Sequence, residues 1–69
     1  MLKKSVTIAG QHNTSVSIEP EFWEELGQIS ERENLSINSL ITKIDAERKS
    51  DNLSSAIRVY VLNYLKTNR

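Results

Sequence analysis

Apolar and polar residues alternate along the first eighteen positions of the chain, and the apolar ones fall at even numbers. This two-residue period predicts two half-buried β-strands, over residues 4–9 and 13–18. The apolar positions that carry it are Val6, Ile8, Val16 and Ile18.

Two arrangements of these strands share the same parity. A hairpin centred on His12 would pair Val6 with Ile18, whereas one long strand with a kink at Gly10 would leave the two halves unpaired. Gly10 favours the turn, but the pattern leaves both open. His12, alone in this stretch, is best interpreted as a solvated turn residue.

After the second strand the apolar spacing changes to three and four residues, which is the period of an amphipathic helix. We predict helices over residues 20–33, 37–48 and 53–67. Pro20 occupies a first helical position, where proline is well tolerated. Ser36 is suited to cap the second helix.

The chain has only 69 residues and no cysteine, so it forms one domain with a marginal core and no disulfides. A strand that lacks a partner also leaves its backbone groups unsatisfied, and the third helix is apolar on more than one face. We therefore predict a homodimer. Its predicted core comprises Val16, Ile18, Phe22, Trp23, Leu26, Ile29, Leu40, Ile41 and Ile44.

Composition argues against several other classes. No apolar run approaches the ~18–20 residues that span a bilayer, and no signal-peptide hydrophobic region precedes the first strand. We expect no membrane association and a cytoplasmic location. With one histidine and no paired nucleophile and base, we expect no metal, no cofactor and no enzymatic activity.

The net charge is zero, which is unusual for a nucleic-acid-binding protein. The charge is unevenly distributed, however. Residues 1–18 carry two lysines and no acid, residues 19–34 carry six glutamates against one arginine, and residues 35–69 carry six basic against three acidic residues. A usable positive face is compatible with this distribution. The glutamates could equally serve only to keep the first helix soluble.

The block from Thr14 to Ile44 combines five motifs: the alternating Ser15-Val16-Ser17-Ile18, the entry Glu19-Pro20-Glu21, the stripe Phe22, Leu26 and Ile29, the turn Asn34-Leu35-Ser36 and the restart Asn38-Ser39-Leu40-Ile41. Through these motifs the block resembles the ribbon-helix-helix family of bacterial DNA-binding proteins. Asn34 stands where the family often has glycine.

The resemblance implies an α+β, mainly helical fold with an extra third helix, assembled as an intertwined two-fold homodimer. In such a dimer the strands pair antiparallel into a ribbon that enters the major groove of double-stranded DNA. Base-contacting side chains would be Asn13, Ser15 and Ser17. Asparagine can pair with adenine, whereas serine reads either base weakly.

Phosphate contacts are expected at two places. The start of the second helix would offer Ser36 and the backbone N–H groups of Ile37 and Asn38. If a hairpin also forms, the dimer has a four-stranded sheet that is too wide for the groove. Its outer strands would then peel away or lie over the DNA backbone, with Lys3 and Lys4 on phosphates. Alternatively, such a sheet would no longer read DNA.

The resulting hypothesis is a dimeric DNA-binding protein that acts as a transcriptional regulator. The alternative is a protein–protein interaction module on the same scaffold, without specific DNA binding. In that alternative the serines of the second strand form an ordinary solvated surface.

Overall fold

The computed structural model describes residues 1–48 and 51–67. Two strands precede three helices, which confirms the expected α+β, mainly helical class. The first strand starts two residues before its predicted range, and the first two helices each end one residue earlier than predicted. The elements are β1 (Leu2–Ile8), β2 (His12–Ile18), α1 (Pro20–Arg32), α2 (Ile37–Glu47) and α3 (Leu53–Thr67).

β1 and β2 form an antiparallel hairpin, so the alternative of one kinked strand is excluded. The pairing is centred on Gly10 and not on His12. Val6 therefore lies opposite Thr14, and its predicted pairing with Ile18 is wrong. The register differs from the predicted one by an even number of residues, so the same residues still share one face of the hairpin.

The turn explains this register. Ala9 and Gly10 have φ angles of 55° and 71°, and the Gln11 N–H donates to the Ile8 carbonyl at 3.2 Å. Positive φ at both central residues is typical of a type I′ turn, and Gln11 follows this turn as one extra loop residue, so that Ile8 lies opposite His12. A turn placed here leaves His12 inside β2.

Local signals end one helix and start the next. Asn34 adopts the left-handed conformation with φ of 57°, and the Leu35 N–H donates back to the Ser30 carbonyl at 2.9 Å, as helix-closing motifs do. The hydroxyl of Ser36 then accepts the Ser39 N–H at 3.0 Å. These contacts place the start of α2 directly after the end of α1.

A single chain buries the core. The even-numbered face of the hairpin covers the helices, and all nine residues predicted for the dimer core are buried except Phe22, which is half-buried. The chain covers these side chains by itself. The buried apolar residues are Val6, Val16, Ile18, Trp23, Leu26, Ile29, Leu40, Ile41, Ile44, Ile57 and Val61.

Helix α3 is fixed to the junction between β2 and α1. The Arg58 guanidinium donates to the Glu19 carboxylate at 2.9 Å and lies 6.0 Å from the centre of the Phe22 ring. The hydrogen bond from Arg58 is the main cause that lowers the pKa of Glu19 below its ordinary range. Both side chains remain partly exposed, so this pair contributes modestly to stability.

Candidate nucleic-acid interface

The odd-numbered face of the hairpin is entirely polar and lies on the side away from the helices. Side chains alternate across a strand, and the even-numbered side chains of both strands point to the core. The outward face is therefore open to an external partner. Its members face each other across the two strands as the pairs Lys3 and Ser17, Ser5 and Ser15, and Thr7 and Asn13.

All three residues predicted to contact bases lie on this face, in one row along β2. Asn13 and Ser15 are exposed and Ser17 is half-buried. The Thr7 hydroxyl donates to Asn13 Oδ1 at 2.9 Å, which orients the amide while leaving its NH2 group free to donate. The second lone pair of Oδ1 can still accept a hydrogen bond. Thr7 thus belongs to the site, although the sequence pattern alone did not identify it.

Helix α2 covers the outer edge of β1. The Thr7 N–H donates to Asn38 Oδ1 at 3.4 Å, and the Ala9 N–H donates to Thr42 Oγ1 at 3.0 Å. These two side chains satisfy backbone groups that an edge strand would otherwise leave open. The contacts also fix the start of α2 beside the hairpin turn.

The outer edge of β2 is different. Because the Thr7 N–H points away from β2, the odd-numbered backbone groups of both strands point away from the ladder that joins them. On β2 these groups belong to Asn13, Ser15 and Ser17. Within residues 1–48 and 51–67, no other element provides them with a hydrogen-bond partner. β2 therefore has an open edge.

The predicted phosphate-binding positions on α2 lie at the end of the hairpin that carries the turn. Ser36 caps the helix and its hydroxyl donates to Ser39 at 3.0 Å. Asn38 Oδ1 accepts a hydrogen bond from the Thr7 N–H of β1. This leaves the backbone N–H groups of Ile37 and Asn38 to bind an anion. Helix starts attract anions through such free N–H groups and the helix dipole.

The two predicted phosphate-contacting lysines lie on opposite faces of β1. Lys3 is exposed on the outward face, next to Ser17. Lys4 is on the even-numbered face, with Nζ 5.3 Å from the centre of the Trp23 ring. The alternation of the strand causes the separation, so only Lys3 shares a face with the predicted base-contacting residues.

The two tyrosines of α3 are occupied in packing. The ring centres of Tyr60 and Tyr64 are 6.2 Å apart, and the Tyr64 hydroxyl donates to the Glu33 carboxylate at 3.3 Å. Burial, followed by the nearby charge of Glu33, raises the pKa of Tyr60. Both rings are half-buried and pack against the core, which favours a packing role over base stacking.

Residues 1–48 and 51–67 contain neither a candidate membrane span nor a candidate metal site. No helix among them has the length and apolar character needed to cross a membrane. They also contain no group of three or more His, Cys, Asp or Glu side chains arranged to hold a metal ion.

Comparison with known proteins gives one match. The family model described as "Ribbon-helix-helix domain" matches residues 1–65, which is nearly the whole chain. No curated protein and no solved structure matches this chain. The match extends beyond the block that carried the resemblance, and includes β1 and most of α3.

Proposed function

The chain belongs to the ribbon-helix-helix family, whose domains are typically DNA-binding transcription regulators, and we propose that this protein is a homodimeric, DNA-binding regulator of transcription that acts in the cytoplasm of a bacterium. It uses the outward face of its hairpin to contact double-stranded DNA. The observation that carries the proposal is that this face is wholly polar and free of helices, and presents Lys3 beside the row of Asn13, Ser15 and Ser17.

Dimerisation uses the open edge of β2. Two copies that join antiparallel along this edge satisfy the backbone groups of Asn13, Ser15 and Ser17. The product is a four-stranded sheet with the two β2 strands at its centre. It brings the two rows of predicted base-contacting side chains together, and the family generally forms dimers.

The width of this sheet determines how it meets DNA. Strands are spaced about 4.8 Å apart, so four strands span about 14 Å between outer backbones. The major groove is only about 12 Å wide. The two β2 strands therefore enter the groove and the β1 strands lie over its rims, where Lys3 contacts phosphates. The free N–H groups of Ile37 and Asn38 bind phosphates in the same way at the helix start.

Base reading is weak in this arrangement. Asn13 can make a bidentate contact with adenine, whereas each serine discriminates poorly. Backbone contacts should therefore dominate the affinity, which makes binding sensitive to salt.

The first test measures binding of the purified protein to mixed genomic DNA fragments at low and moderate salt, with its mass in solution recorded alongside. We expect a dimer whose binding weakens with salt and is lost on Asn13→Ala with Ser17→Ala. Lys3→Gln should reduce both the affinity and its salt dependence. Arg32→Gln is the matched control, because Arg32 is an exposed cation in the last turn of α1 and not on the hairpin. A stable dimer that fails to bind DNA at low salt would refute the proposed regulatory function.

The proposed dimer edge has its own test. The Ser15 N–H points to the open edge and not into the hairpin, so Ser15→Pro removes an edge donor while keeping the hairpin ladder. We expect this variant to keep its circular dichroism spectrum and to lose dimerisation through β2.

The second candidate function is a protein–protein interaction module on the same dimer. The observation that favours it is the acidic first helix, which contributes most of the six glutamates between residues 19 and 34 and leaves the chain without net positive charge. A dimer that binds no DNA but retains a basic protein partner through α1 would support this reading.

A further inference from the structure

Thr7 connects the start of α2 to the row of predicted base-contacting side chains. Its N–H donates to Asn38 Oδ1 at 3.4 Å, and its hydroxyl donates to Asn13 Oδ1 at 2.9 Å. A threonine side chain is branched at Cβ, which restricts its χ1 rotamers, and Thr7 is half-buried. Its hydroxyl is therefore a well-fixed donor for the Asn13 amide.

The register of the hairpin explains why Thr7 reaches Asn13. The two residues lie directly opposite each other, and their backbone groups point away from the ladder that joins β1 and β2. Opposite residues of this kind have Cα atoms about 4.5 Å apart, closer than those of a hydrogen-bonded pair. Within residues 1–48 and 51–67, the Thr7 hydroxyl is the only group that forms a hydrogen bond with the Asn13 side chain.

An amide held in this way presents a donor and an acceptor side by side. The Thr7 hydroxyl uses one lone pair of Asn13 Oδ1, so the second lone pair and both N–H bonds of Nδ2 remain. In the major groove, only adenine offers an acceptor, N7, next to a donor, the N6 amino group. Guanine offers two acceptors there. A flip of the amide would exchange its donor and acceptor, so an orientation fixed before binding strengthens the match to adenine.

We propose that the Thr7–Asn13 pair of each copy reads one adenine, with Asn13 in contact with the base and Thr7 as its positioning residue. This inference rests on the proposed function, because it needs the outward face of the hairpin to meet DNA. It makes Thr7, a residue of β1, a determinant of sequence preference.

The two-fold axis of the proposed dimer then determines the DNA sequence that it prefers. A symmetric pairing of two β2 strands that uses Asn13, Ser15 and Ser17 together is centred on Ser15. It places Asn13 of each copy opposite Ser17 of the other, so the two Asn13 residues are four positions, or about 14 Å, apart along the strands. Base pairs rise about 3.4 Å each, and the groove runs obliquely to the helix axis. The preferred DNA is therefore an inverted repeat with one adenine on each strand, about three to four base pairs apart.

The first experiment selects duplexes that bind the full-length chain at low salt from a pool with a random central segment. We expect adenines on opposite strands at the spacing given above. Replacing one of them by guanine should weaken binding about 5- to 100-fold. Replacing it by 7-deazaadenine, which lacks the N7 acceptor, should also weaken binding, whereas the same replacement outside the two positions should not.

The second experiment measures the ratio of the affinities for the adenine and guanine duplexes in three variants. Thr7→Val removes the hydroxyl and keeps the branched shape, and should lower this ratio about two- to tenfold. Thr7→Ser keeps the hydroxyl and should keep the ratio. Ser5→Ala is the matched control, because it removes a hydroxyl from the same strand and face, opposite Ser15. A general loss of affinity cancels in the ratio, and circular dichroism spectra establish that the variants fold.

The outcomes separate this proposal from the proposed function. Salt-sensitive DNA binding without a preference for adenine would overturn the adenine contact and leave the regulator standing. An adenine preference that Thr7→Val leaves intact would overturn the role of Thr7. Adenines selected at a different spacing would overturn the arrangement centred on Ser15. A chain that binds no duplex at low salt would overturn both proposals.

Discussion

One hydrogen bond fixes the beginning of the chain to its core. The Trp23 indole N–H donates to the backbone carbonyl of Leu2 at 2.8 Å, while Lys4 lies over the same ring. The indole is 6% exposed, so it is held in one position. We predict that replacing Trp23 by 3-benzothienylalanine, which has sulfur in place of the N–H, selectively loosens β1.

The size of the effect follows from the surroundings of the two groups. A neutral hydrogen bond contributes about 0.5–1.5 kcal/mol net. Leu2 is exposed, so water can reach its carbonyl once the indole donor is lost, and the expected cost is about 0.5–1 kcal/mol. Trp23→Phe also removes buried ring atoms, and its total cost should reach about 2 kcal/mol or more.

Urea unfolding followed by far-ultraviolet circular dichroism measures this cost at matched protein concentrations. With a slope near 1 kcal/mol per molar urea for so small a chain, the benzothienyl variant should shift the midpoint by about 0.5–1 M. Amide hydrogen exchange should accelerate in β1 more than in α2. A midpoint within about 0.2 M of the wild type, with β1 exchange unchanged, would refute the reasoning.

Three further predictions concern other parts of the fold. Ile57→Ala should lower the free energy of unfolding by about 2–5 kcal/mol, because Ile57 is 0% exposed; a urea-unfolding loss under 1 kcal/mol would contradict its place in the core. Gly10→Ala should cost about 1 kcal/mol in thermal unfolding, since a Cβ meets no neighbour and only the positive φ opposes it; no change would argue against the type I′ turn. Arg58→Met should lower the melting temperature near neutral pH. Because the bond lowers the Glu19 pKa, its contribution is present above the ordinary glutamate range and fades as the pH falls through the lowered pKa; a difference independent of pH would contradict this pairing.

Part of the candidate site could be predicted from the sequence. The two-residue period placed Asn13, Ser15 and Ser17 on one face. The same parity also separates Lys3 from Lys4, a signal that the expectation of two phosphate-contacting lysines overlooked. Thr7 could be joined to Asn13 only through the register of the hairpin, because no local pattern states which residues of two strands lie opposite each other.

The sequence by itself determined the elements and their caps. Apolar spacing, Pro20, Asn34 and Ser36 act through neighbours within a few residues, so their effects are visible in the linear order of the chain. The same spacing also determined which side chains share a face.

Only the tertiary structure determined the register of the hairpin and which side chains a single copy buries. The positive φ angles at Ala9 and Gly10 moved the hairpin centre from His12. Packing of α3 against residues far away in the chain helps to cover the predicted core within a single copy. Both outcomes depend on contacts between segments that are distant in the chain. Turn geometry and the packed volume of the side chains determine which segments meet, and the period of a local pattern contains neither.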